Sequence, residues 1–314
     1  MTQPPQHIVI AGGTGMIGRA LIGELFAQGH NITVLSRGSA RGKLPRVPRA
    51  RVAAWNPGAE DLDLDALGTV DVVVNLAGAS LSRMPWTASR RAAILGSRLD
   101  ATNTIVDAIH HARSKPAVLI NASAVGIYGN RGNETLDESS SIGSGFLADV
   151  VRQWEDAARA VDPSVRLVLA RTGIVIGPEG ALTPLRRLGR FSLAGPLGNG
   201  KQWWPWIGLR DEVRALIFVM DTRGIKGPIN IVGPEPATQR TVVRSLGRRM
   251  HRASWVPVPK FALRILLGEA ADEMLLSSQK VVPSHLVASG FTFDDPKVDR
   301  AIARALLETD RRVK

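Results

Sequence analysis

The residues Ile8-Val9-Ile10-Ala11-Gly12-Gly13-Thr14-Gly15-Met16-Ile17-Gly18 join a β-branched run to a cluster of glycines, and apolar residues at helical spacing (Ala20, Leu21, Leu25, Phe26) follow. Strand, tight turn and helix in that order can hold the pyrophosphate of a dinucleotide. Gly12 and Gly13 admit a turn that side chains would block. Gly15 removes a Cβ that would keep the backbone away from phosphate, and Gly18 lets the helix pack on the strand. The free N–H groups of the first helical turn and the helix dipole attract the anion. Thr14, Met16 and Ile17 share the turn and belong to the expected cofactor contacts.

The end of the second strand reads Ser36-Arg37-Gly38, where an NAD-preferring site carries Asp or Glu. Ser36 can donate a hydrogen bond, and Arg37 is a planar cationic donor suited to a 2′-phosphate. The expected cofactor is therefore NADP(H), with a plain surface role for Arg37 as the alternative. Trp55 ends the third strand and can stack beside adenine or fill the core. Asn75-Leu76-Ala77-Gly78-Ala79 ends the fourth. Its small residues let the backbone pass close to the cofactor, which makes Leu76, Ala77 and Gly78 candidate contacts. A further stretch, Gly198-Asn199-Gly200-Lys201-Gln202-Trp203-Trp204-Pro205-Trp206, carries three of the seven tryptophans in four residues. Such a loop can close over a ligand, with Lys201 and Trp203 as substrate contacts, or pack a small domain against the sheet.

The 314 residues, 44% hydrophobic and 22% charged, suit a soluble globular protein with one large core or two coupled domains. No apolar run approaches the roughly 20 residues that cross a bilayer, so no membrane partner is expected. Residues 1–6 are polar and carry no secretory signal. With no cysteine, disulfides and thiolate chemistry are excluded, and a cytoplasmic location is expected. The six histidines show no metal-ligand spacing with carboxylates, so no metal is expected. The net charge is +12, and the basic residues are scattered, several as pairs (Arg90-Arg91, Arg186-Arg187, Arg248-Arg249, Arg311-Arg312), without interleaved aromatics. No nucleic-acid partner is expected, and the charge reads as solvated helix faces or a potential that draws in anions.

The elements that must position these residues alternate. Strands are expected at 8–10, 31–35, 51–55, 70–76, 117–122 and 165–171, and long helices at 87–111 and 146–161. That alternation predicts an α/β fold with a doubly wound parallel Rossmann sheet. Residues 173–206 read as irregular. Helices at 211–222 and 239–250 flank a strand at 227–232, and more helix lies within 257–283. The expected division is a dinucleotide-binding domain over 1–174, with 207–233 returning to it, and a smaller C-terminal substrate or lid domain over 175–314.

Gly12-Gly13-Thr14-Gly15-Met16-Ile17-Gly18, Asn75-Leu76-Ala77-Gly78 and Ser123-Ala124-Val125-Gly126-Ile127-Tyr128-Gly129 stand in the order of the extended short-chain dehydrogenase/reductase superfamily. The chain resembles more closely its atypical "epimerase family" branch. The carrying residues are Trp86-Thr87, Ser97-Arg98, Gly145-Phe146-Leu147-Ala148, Trp154-Glu155, Arg171-Thr172-Gly173-Ile174-Val175, Gly200-Lys201-Gln202-Trp203 and Trp206-Ile207. The run Val256-Pro257-Val258-Pro259 through Gly290-Phe291 is similar to that branch's own C-terminal domain. In the branch a His and an Asp follow the last Trp; here the positions read Gly208 and Arg210-Asp211.

The superfamily's reaction uses Tyr-x-x-x-Lys and an upstream Ser, with Tyr passing a proton while nicotinamide passes hydride. Tyr128 is the only tyrosine, and Gly132 stands four residues on. The positions matching the dyad hold Phe146 and Val150. The resemblance leaves Ser123, at the fifth strand's end, and Tyr128 as candidate catalytic groups, with Glu155 and Arg171 behind them. It implies an oxidoreductase or sugar-nucleotide epimerase-like enzyme acting on an unidentified small molecule, as a monomer or homodimer. The alternative is a non-catalytic NADP(H)-binding redox sensor or regulatory module.

Overall fold

The computed structural model describes residues 4–38, 50–180, 182–190, 194–252, 254 and 257–313. Val256 lies outside these. Seven strands form one parallel sheet: β1 (His7–Ala11), β2 (Asn31–Ser36), β3 (Ala50–Ala54), β4 (Val72–Asn75), β5 (Val118–Ala124), β6 (Arg166–Thr172) and β7 (Gly227–Ile231). Their order across the sheet is β7-β6-β5-β4-β1-β2-β3. β4 is Val-Val-Val-Asn and buried throughout, as a parallel strand covered on both faces must be.

The helices are α1 (Met16–Ala27), α2 (Ala88–His111), α3 (Phe146–Arg159), α4 (Leu182–Arg190), α5 (Leu209–Asp221), α6 (Gln239–Arg249), α7 (Lys260–Leu267), α8 (Ser284–Ala288) and α9 (Val298–Val313). On one face, Ile8, Ile10, Val72 and Val74 pack with Leu21 and Leu25 of α1 and Val213 and Leu216 of α5. On the other, Val9, Val73 and Leu119 pack with Ala101, Ile105 and Ile109 of α2. This alternation makes the sheet doubly wound. The β1–α1 junction and the ends of β4, β5 and β6 thus meet at the C-terminal edge, where ligands of open α/β sheets bind.

Residues 173–206 are more regular than their composition suggests. Ile174–Ile176 pairs in parallel with Trp206–Gly208, and α4 lies between them. Trp203–Trp204 pairs antiparallel with Ala237–Thr238. The glycines and prolines that read as loop punctuate short ladders here. The chain then returns to the sheet, where β7 pairs with β6. A separate core gathers Ile176, Leu182, Trp204, Trp206, Val242 and Ile302. Thr135–Leu136 pairs with Lys280–Val281, tying the segment after β5 to the C-terminal region. Among the described residues no helix is long and apolar enough to cross a membrane.

Candidate functional site

At the β1–α1 turn, Gly12 has φ +79°, and a Cβ there would lie 2.5 Å from the Leu76 carbonyl oxygen. The turn therefore presses on the backbone that follows β4. Gly18 is equally constrained, since its Cβ would meet the Gly12 carbonyl oxygen at 2.5 Å. Gly15 differs. It is exposed, and within 4 Å its Cβ would meet only the Gly12 carbonyl oxygen, at 3.3 Å. It caps α1 with no side-chain hydrogen bond, and the first turn carries no acidic residue. Thr87 caps α2 and Thr238 caps α6. α1 thus offers bare N–H groups beside an open backbone, the cradle a pyrophosphate requires.

Ser36 is half-buried at the end of β2, and Arg37 beyond it is exposed. Trp55 is buried in the core on the α2 side of the sheet, so it fills the core rather than offering a free face to a ring. At the end of β4 the Asn75 side chain donates to Asn121 Oδ1 (2.7 Å) and Thr102 Oγ1 (3.1 Å), and accepts from the Ala77 N–H (3.1 Å). This fixes Leu76-Ala77-Gly78 against the Gly12 turn.

Beyond Gly78 lies a cavity of about 170 Å³. Ala124, Val125, Leu147, Val150, Trp154 and Trp204 supply much of its apolar lining, and Arg98, Thr172, Glu273, Ser277 and Gln279 its polar groups. Val150, which the resemblance sets at the Lys position, lines it; Phe146, which it sets at the Tyr position, packs edge-on to Trp86. Glu273 accepts from the N–H groups of Phe146 (3.2 Å) and Leu147 (3.0 Å), capping α3 from a distant π-helical turn, Ala271–Leu276.

Ser123 and Tyr128 do not line this cavity. Strand alternation turns Ala124 toward it and Ser123 toward α3. Ser123 Oγ donates to Glu155 Oε1 (2.6 Å). Arg171 grips the same carboxylate through Nε (2.8 Å) and Nη2 (2.9 Å). Arg171 Nη1 donates to the Tyr128 hydroxyl (3.0 Å), which donates to Asn230 Oδ1 (2.8 Å). All five residues are buried. Burial pushes the Tyr128 hydroxyl above its ordinary value. Burial also opposes charge on Glu155, yet Arg171, Ser123 and Arg159 together hold it below the usual carboxylate range. The network ties β5, β6, β7 and α3 into one unit.

The tryptophan segment belongs to the small ladders. Trp203 is half-buried, with Nε1 donating to Asn133 Oδ1 (2.9 Å) and Lys280 Nζ 5.3 Å from its ring centre; Lys201 is exposed. The cavity wall is Trp204, held by Nε1 donation to the Leu275 carbonyl (3.2 Å). The sequence offered two adjacent tryptophans, and only the ladder decides which turns inward. Asp211, matching the branch's Asp, is buried and accepts from the N–H groups of Asp294 and Asp295, both at 2.9 Å. It joins α5 to the C-terminal region.

Two groups escaped the sequence reading. Thr172 lines the cavity, and its Oγ1 donates to Glu212 Oε1 (2.8 Å). Glu212 Oε2 is buried without a partner, and burial pushes the carboxyl up to about 8. The only signal was a Glu on the apolar stripe of α5, among Val213, Leu216 and Met220. The second group is Arg98, a hallmark residue without a role. Among the described residues no group of three or more His, Asp and Glu side chains could hold a metal ion.

Residues 8–233 match the NAD dependent epimerase/dehydratase family, and 258–305 match a domain of unknown function. The chain is 38% identical over 301 residues to an epimerase family protein of Mycobacterium leprae, covering 95% of each. It is 35% identical over 311 residues to the chloroplastic SDR39U1 homolog of Arabidopsis thaliana, covering 96% of this chain and 86% of that one. The structure of the human epimerase family protein SDR39U1 with NADPH superposes with a TM-score of 0.85 at 30% identity, covering 95% and 98%. A nucleoside-diphosphate sugar epimerase from Corynebacterium glutamicum superposes at 0.74 and 30% identity, covering 96% of this chain and 58% of that one.

Proposed function

Because the chain belongs to the NAD dependent epimerase/dehydratase family, we propose that it binds NADP(H) and acts as an oxidoreductase or epimerase-like enzyme on a small molecule in the cavity beyond Gly78. The observation that carries this reading is the bare N-terminus of α1 beside the open face of Gly15, a fit for the pyrophosphate. The human SDR39U1 complex with NADPH supports the choice of cofactor, as does Arg37 without a carboxylate beside it. In the proposed site, Gly12, Gly13, Thr14, Gly15, Met16 and Ile17 surround the phosphates. Ser36 and Arg37 hold the adenosine 2′-phosphate, and Leu76-Ala77-Gly78 line the path to the cavity.

The nicotinamide, when bound, supplies hydride exchange. This chain's residues then have three tasks. Leu147, Trp154 and Trp204 exclude water. Ser123, Glu155, Arg171 and Tyr128 hold the strand ends in place; they position and do not react. Thr172 lines the cavity as a polar group, and its hydroxyl donates to Glu212, which burial keeps protonated to about pH 8. We place the protein in the cytoplasm as a monomer or homodimer, with residues 1–174 and 207–233 serving the cofactor and the remainder of 175–314 serving the substrate. The second reading, a redox sensor, draws on the apolar residues at the positions of the usual dyad.

The test is a fluorescence titration with NADPH and then NADH. NADPH binds more tightly, and Arg37→Ala weakens NADPH by roughly tenfold or more, the worth of a charge-assisted contact, without changing NADH. If neither nucleotide binds the native chain, the glycine turn is structural and the reading fails.

A further inference from the structure

Arg98 sits on α2 at the cavity wall with its guanidinium 5.0 Å above the Trp154 ring. Its Nη1 donates to the carbonyls of Ile94 (2.8 Å) and Ala79 (3.2 Å). Among the described residues Nε and Nη2, the side edge of the guanidinium, have no hydrogen-bond partner. Among the described residues no carboxylate pairs with Arg98. The neighbouring charge is a second cation, Arg90, whose Nε is buried and unpartnered and whose Nη2 donates to the Ser80 carbonyl. Burial, with Arg90 adding to it, lowers the Arg98 guanidinium to about 10. Glu273, the acidic residue of the cavity wall, is taken up by the N-terminus of α3.

A desolvated cation beside another cation is costly unless an anion completes it. The edge left open is the Nε/Nη2 fork, which matches the two oxygens of a carboxylate. Much of the remaining wall is apolar, supplied by Ala124, Val125, Leu147, Val150, Trp154 and Trp204. We infer that Arg98 is the specificity residue of this cavity, binding through Nε and Nη2 the carboxylate of a small substrate whose body is apolar. The inference rests on the cavity being the substrate site proposed above. The other source of an oxyanion is the cofactor's own phosphates, since a Cβ on Gly78 would lie 3.3 Å from Arg98 Cζ.

The probe is benzoate, with benzamide as its neutral counterpart, titrated calorimetrically into native protein and Arg98→Met, each with and without saturating NADPH. NADPH is titrated separately into both proteins. Benzoate binds the native protein at least roughly tenfold more tightly than benzamide, and Arg98→Met removes that difference, as loss of charge-assisted hydrogen bonds requires. NADPH affinity changes less than about twofold. Arg98→Lys, which keeps the charge but not the fork, retains only part of the preference and guards against misfolding of the Met variant. The inference is overturned if benzoate fails to bind native protein or binds Arg98→Met equally. It is also overturned if Arg98→Met weakens NADPH about tenfold or more, because the arginine then serves the cofactor. Failure of NADPH to bind native protein overturns the cofactor reading, and the titrations without nucleotide still decide Arg98.

Discussion

Gly12 and Gly15 stand three residues apart and answer to different constraints. Gly12 needs a positive φ and meets the backbone at Leu76. Gly15 has φ −71° and ψ 168°, which any residue adopts, and its Cβ would point into open space apart from one contact at 3.3 Å. Gly12→Ala therefore loses stability, by about 1–3 kcal/mol for the backbone strain alone. Gly15→Val folds with near-native stability and binds NADPH more weakly, because its branches occupy the phosphate cradle. Urea unfolding and NADPH titration of both variants separate the two effects. A Gly15→Val protein that binds NADPH normally would remove the phosphate from this turn. At the same scale, Ser123 and Tyr128 are held by partners that their residue types do not specify. A serine and a tyrosine beside a strand end carry the right chemistry for proton transfer, but the side of the strand assigns them to Glu155 and Arg171 instead.

The helix N-termini show how elements divide the work. α2 and α6 begin at threonines that satisfy their first N–H groups locally. α3 begins at Gly145, whose residue type offers no cap, and receives Glu273 from over one hundred residues away. That contact both closes the cavity and joins the C-terminal region to the sheet. Removing the cap by Glu273→Ala costs about 1 kcal/mol, and about 2–4 °C in melting temperature for a chain of this size. Glu273→Gln, which still accepts through one oxygen, recovers part of the loss. Thermal melting that leaves the alanine variant unchanged would mean that α3 takes nothing from this carboxylate.

Over the whole molecule, Glu212 makes stability depend on pH in an unusual direction. Its ordinary value is 4.5, and burial raises it to about 8 in the folded chain. Below 4.5 the carboxyl is protonated in both states and exacts no penalty. Between 4.5 and 8 the unfolded chain releases the proton while the folded chain keeps it, so stability falls by about 1.4 kcal/mol for each pH unit from this group. Glu155 acts oppositely, because its lowered folded value withdraws stability as pH falls through it. Glu212→Gln is thus expected to flatten the fall between pH 5 and 8 and to be more stable than the native chain at pH 8. Denaturant midpoints across that range check it; equal slopes in the two proteins would return Glu212 to an ordinary carboxylate.

The alternation of strands and helices and the glycine turn were determined by the sequence, because each depends on local period or on backbone freedom at single positions. The strand from 227 to 231 and its flanking helices were legible for the same reason. Contacts between residues far apart in the chain were not. That Trp204 rather than Trp203 faces the cavity follows from pairing with Ala237–Thr238, and that Trp55 lies in the core follows from packing under α2. Glu273 reaching α3, Glu212 meeting Thr172 and Arg98 standing without a carboxylate among the described residues are all consequences of closure. Only the folded chain fixes which charges are desolvated and which find partners, so the tertiary structure alone decided where the polar and charged groups of this cavity lie.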